Sequence, residues 1–208
     1  MSKWTISVVL MLMAGLIRVS EPAAQSGSTS PTPVKRVERF TRPSQLRVKP
    51  APNTPATGPR QACPTTSEMC QKFWALAGHF LTGNTIPARD RELLVLRTAY
   101  LSRVDYEWAH HHDSYSTKAG LTVQDVARVT QGPEASGWSE ADRALLRAAD
   151  ELHANRFISD ATWKMLASRY DDHRLVEVVL TVGNYTMLGM YFNSLGVPIE
   201  QGLTPVPD

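Results

Sequence analysis

The sequence predicts an all-α fold of about seven helices, and three observations carry that prediction. Apolar residues recur at intervals of three and four through most of the chain after residue 68. Helix-start residues (Thr122, Ser139, Ser159) and helix-stop glycines (Gly83, Gly120, Gly132, Gly196) punctuate those runs. The one run with strand character, Val176-Glu177-Val178-Val179, has no partner strand and lies inside a long apolar stretch.

In order, Glu68 to Leu81 places Met69, Phe73, Trp74, Leu76, Ala77 and Phe80 at helical spacing, and Gly83-Asn84 ends it. Pro87 opens the next helix in the first turn, with Asp90 and Glu92 early and Leu93, Leu94, Leu96, Ala99 and Tyr100 along its apolar face. After a break at Ser102–Asp105, with Asp105 expected as cap, a histidine-rich helix is expected to run to Lys118. Thr122 caps a short helix ending at Gly132-Pro133, and Ser139 with Asp142 forms a capping box for the next. Ser159 starts a sixth helix. The last, Asp172 to Leu195, is apolar on most faces and is expected to be central to the fold, buried by another subunit, or both.

Charge divides the chain. Residues 1–60 hold nine Lys/Arg against Glu21 and Glu38, a balance of +7, so the overall +2 leaves −5 on the remainder. The basic residues are scattered among prolines without aromatic interleaving, which argues against nucleic-acid binding. Lys3 followed by the apolar run Trp4–Ile17 reads as a signal peptide or N-terminal anchor over residues 1–24, hence an exported protein that touches a membrane only through that segment. Residues 25–60 read as a disordered, Pro/Ser-rich basic linker. The folded domain is assigned to 61–208. Export makes a local disulfide between Cys63 and Cys70 plausible, clipping the first helix; a redox-active pair and a zinc site are the alternatives.

Chemistry concentrates between Glu92 and His112. Glu107 lies three and four residues before His110 and His111, so a carboxylate and an imidazole share a helix face. That pairing sets an imidazole's tautomer and raises its basicity, as proton transfer near neutral pH requires. A solvated surface carrying three histidines is the competing reading. Glu107-x-x-His110 also has the spacing used in di-iron bundles, but no second such motif follows; Glu151-Leu152-His153 has the wrong spacing. A metal site is therefore not expected. Tyr106 and Trp108 flank the glutamate, either as packing or as a pocket wall, and His79, His153 and His173 read as surface or helix-end residues.

The blocks ARDRELLVLRTAYL, YEWAHH, KAGLT, GWSEADRALLRAADELH, ISDATWKML and VVLTVGNYTMLGMYFNSLGVPIE together resemble the carboxymuconolactone decarboxylase family of the alkylhydroperoxidase D-like superfamily. The resemblance spans roughly residues 73–200 and implies an oligomeric helical bundle, a trimer or hexamer, which a monomeric mass in light scattering would refute. The peroxidase branch carries Glu-x11-Cys-x-x-Cys-x-x-x-His. Aligned here, its Glu is Glu92, its His is His111, and its cysteines fall on Val104 and Glu107. Neither is a redox thiol, so a peroxiredoxin-type activity is disfavoured. The resemblance then implies decarboxylase-like acid–base chemistry on a small carboxylated lactone or keto acid, without a cofactor. Protonated His111 gives the proton in that reading, with Glu92 or Glu107 holding its ring and His110 nearby. Arg97 or Arg103 is expected to dock a substrate carboxylate beside Tyr106 and Trp108. The alternative is an oligomer that binds a small ligand without turning it over. An enclosed cavity at Glu92 and His111 favours the enzyme.

Overall fold

A computed structural model describes residues 34–54 and 58–208. The expected signal or anchor segment lies outside the described residues. Seven α-helices follow in order: α1 Glu68–Gly78, α2 Ala88–Leu101, α3 Asp105–His110, α4 Val123–Gln131, α5 Glu140–Asn155, α6 Asp160–Ala167 and α7 Asp172–Leu195. No strand occurs among the described residues.

The caps explain the boundaries. Thr122 and Ser139 each accept from the backbone N–H of the aspartate three residues on, and each aspartate returns a bond to the cap's own N–H. Ser159 and Asp171 each accept one backbone N–H in the first turns of α6 and α7, from Thr162 and Arg174, without the reciprocal bond. Asp105 departs from expectation: Val104 occupies the cap position of α3, while Asp105 faces outward to pair with Arg42 and accept from the Val206 N–H. The histidine helix also ends early. It widens at His111–Tyr115 into a π-helical turn, a form enriched at functional sites.

The central helix is α2, packed chiefly against α5 and α7. Leu93, Leu94, Val95, Leu96 and Leu101 are wholly buried, so apolar side chains leave it in nearly every direction. The main core joins them to Leu145, Leu146, Ala148 and Ala149 of α5 and Val178 and Val182 of α7. A second cluster gathers Val95, Val104, Tyr185, Leu188 and Phe192 under α1. Helix α7 is long and apolar enough to cross a membrane, yet much of it is core. The centrality expected of it belongs to α2: Val176, Leu180, Met187 and Met190 lie exposed along one side.

Residues 34–54 belong to the stretch expected as a linker. This stretch has little regular structure, yet it is strapped across the helix ends. The Val37 N–H donates to the Leu101 carbonyl at 2.9 Å and the Arg47 N–H to the Leu195 carbonyl at 2.8 Å. The Arg36 side chain donates to the Tyr100 carbonyl at 2.9 Å, and Arg42 to the Arg103 carbonyl. Those carbonyls lie at the C-terminal ends of α2 and α7, where helix geometry leaves acceptors unpaired and the helix dipole favours cations. The arginines that suggested a solvated tail are the strap's fastenings. Cys63 and Cys70 are bonded to each other, joining the segment before α1 to its first turn.

Candidate active site

Glu92 and His111 come together from helices separated by a turn. Glu92 is wholly buried on α2, and His111, 2% exposed, begins the π-helical turn after α3. His111 Nδ1 lies 2.6 Å from Glu92 Oε2, so the proton on Nδ1 is donated to the carboxylate. The other oxygen, Oε1, accepts from Arg91 Nε and Nη2 at 3.2 and 3.1 Å. On the far side of the ring, Glu107 Oε2 stands 3.5 Å from His111 Nε2. An imidazole is thus bracketed by two carboxylates, one anchored by a guanidinium and one not.

The two carboxylates are electrostatically unequal. Burial pushes the Glu107 carboxyl up to about 7; Glu92 nearby adds to the rise, and His111 works against it. Glu107 therefore holds a proton over much of the range below neutrality. The rings of Tyr115 and Tyr185 lie 5.0 and 5.2 Å from the His111 ring, with Tyr185 edge-on. The Tyr185 hydroxyl is raised well above its ordinary value, by burial first and then by Glu107 and Glu92.

These groups open onto a cavity of about 370 Å³. His111 and Glu107 form its acid–base wall, while Trp74, Tyr106, Tyr115, Tyr185 and Phe192 supply aromatic surface. Pro59 and Arg60, from ahead of α1, complete the rim. His110 reaches the same cavity. Its Nε2 lies 3.0 Å from Glu200 Oε2, and the Tyr106 ring stands 4.4 Å from its own.

The structure brings together Glu92, Glu107, His110, His111 and Tyr106, and leaves out three expected docking residues. Arg97 is buried elsewhere, its fork on both oxygens of Asp150 at 2.6 and 3.1 Å and its remaining nitrogen on the carbonyls of Val129 and Thr130. Arg103 turns to the strap, donating to the Val37 carbonyl at 2.8 Å. Trp108 lies in the main core, its indole N–H unpartnered. Each misses the cavity because its direction from the helix is wrong, although its distance along the sequence is short. Sequence reasoning missed Arg60, Tyr115 and Arg91. Of these only Arg91, next to Glu92, had a local signal. Elsewhere, His79 and His173 lie 3.7 and 3.6 Å from Glu177, which gives His173 a partner the sequence did not suggest.

The carboxymuconolactone decarboxylase family model matches residues 68–151, the stretch that holds Glu92, Glu107 and His111. Residues 68–151, running from α1 into α5, are thus similar to the carboxymuconolactone decarboxylase family. Solved structures agree on the fold. A protein of unknown function from Agrobacterium tumefaciens, described as an AhpD antioxidant defence protein, superposes with a TM-score of 0.57 at 20% identity, over 64% of this chain and 92% of that one. The debrominase Bmp8 gives 0.58 at 15% identity over 68% and 76%. A peroxidase-related protein from Silicibacter sp. TM1040 gives 0.57 at 16% over 64% and 71%. No curated protein matches the chain. In this chain the two positions aligned with the peroxidase branch's cysteines are the wholly buried Val104 and the cavity-lining Glu107, and the two cysteines present are bonded to each other.

Proposed function

We propose that the protein performs cofactor-free acid–base chemistry, a decarboxylation or a closely related proton transfer, on a small carboxylated lactone or keto acid. The observation that supports this most directly is the Glu92–His111–Glu107 chain, which is buried at one end and ends on an aromatic cavity at the other. In the reaction, the bond from the substrate's carbon to its carboxylate breaks and carbon dioxide leaves. The electron pair stays on that carbon, delocalised into the neighbouring carbonyl. A proton from the Glu107 carboxyl then forms the new carbon–hydrogen bond. His111 returns a proton to Glu107 from its Nε2 and regains one from solvent after product leaves, while Glu92, fixed by Arg91, holds the ring and balances the imidazolium charge.

This places the donor one residue set further out than the sequence suggested: Glu107 delivers the proton and His111 supplies it. A carboxyl kept protonated by burial is suited to that role near neutral pH. The aromatic walls favour the step as well, because a poorly solvated carboxylate loses carbon dioxide more readily than a hydrated one.

The test is carbon dioxide release by the full chain from a panel of small carboxylated lactones and β-keto acids. Glu107→Gln and His111→Ala are each expected to lower turnover by about 10²–10⁴-fold, the range for loss of a positioned acid or base. Turnover unchanged in both variants, or no release from any compound by the wild type, sinks the reading.

A further inference from the structure

Most arginines near this site are spoken for. Arg42 pairs with Asp105, Arg91 with Glu92 and Arg97 with Asp150. Arg60 differs. Among the described residues no carboxylate oxygen lies within 4.0 Å of its guanidinium, which packs over the Trp74 ring, 5.5 Å from its centre, at the cavity rim. Stacking on an indole leaves the planar fork's N–H groups free to meet a second ligand.

The backbone around Arg60 is held from several directions. The Tyr191 hydroxyl donates to the Pro59 carbonyl at 2.5 Å, and the Ala51 N–H donates to the Gln61 carbonyl at 3.0 Å. Three residues on, the Cys63–Cys70 bond fastens the segment to α1, and the Trp74 indole N–H donates to the Cys63 carbonyl at 2.7 Å. A fixed, uncompensated cation therefore stands at the mouth of a cavity with aromatic walls and a proton-transfer chain within. The carboxyl that lines the cavity, Glu107, lies against His111, and Glu200 beyond it is paired with His110. Neither is within pairing distance of Arg60.

We propose that Arg60 docks the carboxylate that a substrate keeps through the reaction. The ring then lies against the aromatic walls, with the reacting carbon turned toward Glu107. The proposal rests on the decarboxylation reading, which also decides which carboxylate is meant. A guanidinium fork paired with the departing carboxylate stabilises the charge that must leave that group, and so opposes the loss of carbon dioxide. Paired with a second carboxylate, the same fork positions the substrate at no such cost. On that reading Arg60 meets a carboxylate other than the one that leaves. Arg60 precedes the matched family region, 68–151, so this specificity belongs to the chain's own N-terminal extension.

The test is calorimetric titration of the full chain with benzoate, a ring monocarboxylate, and with benzamide, its uncharged counterpart. Wild type is expected to bind benzoate. Arg60→Gln should weaken benzoate by about tenfold or more, the scale of one charge-assisted bidentate contact, and leave benzamide unchanged. Arg60→Lys should recover part of the loss as a point charge without the fork. Equal benzoate affinity in wild type and Arg60→Gln overturns the proposal, as does equal loss for both ligands or no benzoate binding by the wild type. These readouts are separate from turnover. Arg60-dependent benzoate binding with no carbon dioxide release leaves docking standing and removes the decarboxylation. His111-dependent turnover with binding indifferent to Arg60 does the reverse.

Discussion

Two buried charge clusters in this molecule use the same residue types to opposite ends. Around Arg97, every guanidinium nitrogen meets an acceptor: both oxygens of Asp150 and two backbone carbonyls. The cluster joins α2 to α5 and the end of α4, and nothing in it faces a cavity. Around His111, both oxygens of Glu92 are satisfied, one by Arg91 and one by His111, but the chain continues to Glu107 at 3.5 Å and ends on open space. A closed network stabilises geometry, whereas a network left open at one end can give and take a proton. Charge and burial alike fail to separate the two, since Arg97 is 4% and Glu107 6% exposed. The open end separates them.

Breaking the closed cluster should have the largest effect on stability. Arg97→Ala strands Asp150 as an unpaired buried carboxylate and is expected to cost about 3–5 kcal/mol in chemical denaturation. Replacing both partners, Arg97→Met with Asp150→Leu, should recover much of that loss, because the penalty comes from the orphaned charge. A single variant as stable as wild type would mean the cluster is not closed in the way described.

The open cluster should reveal itself through pH. Glu107 titrates near 4.5 when unfolded and near 7 in the folded chain, where burial disfavours its charged form. Between those values the folded state binds more protons, so Glu107 makes stability fall as pH rises from about 4.5 to 7. The groups facing it are His111, which lowers the Glu107 value, and Glu92, which raises it, with Tyr185 close by. Glu107→Gln should flatten the stability profile across that window relative to wild type. Superimposable profiles for the two proteins would place the Glu107 titration elsewhere.

The same contrast shows what was legible in the sequence. Local signals were reliable: the capping boxes at Thr122 and Ser139, the bounds of α7 at Asp172 and Leu195, and the four-residue spacing that sets Glu107 against His111. Helix α3 even carries the reason why Tyr106 faces the cavity and Trp108 the core. They sit about 200° apart around a helix, at 100° per residue. That phase was readable, but which side held the core was not. Arg97 was misassigned on proximity to Glu92 along α2; Arg91 holds the carboxylate, and Arg97 belongs to α5. Arg60 and the strap were illegible for a different reason. Their contacts run to Trp74, Tyr191 and the distant helix ends, and composition alone describes such a stretch as a linker.

The smallest effect expected concerns Val104, the buried residue in the first of the two aligned cysteine positions. Helix α7 crosses it at Gly189, where an added Cβ would come within 2.6 Å of Val104 Cγ2. In an exposed helix interior, replacing glycine by alanine gains about 0.5–1 kcal/mol from reduced backbone entropy. Here the contact opposes that gain, since an extra methyl in a filled core costs about 1–3 kcal/mol. Gly189→Ala should therefore be destabilising by about 1 kcal/mol. In a Val104→Ala background the clash is gone, and the same change should turn neutral or stabilising. Tyr185 lies one turn before Gly189 on α7 with its ring nearly perpendicular to that of His111, so displacing α7 to relieve the clash disturbs the imidazole's wall as well. A modest loss of His111-dependent turnover in Gly189→Ala, restored in the double variant, would tie the packing of this crossing to the open cluster. Turnover lost equally in both would assign the effect to the glycine's backbone and not to the valine it accommodates.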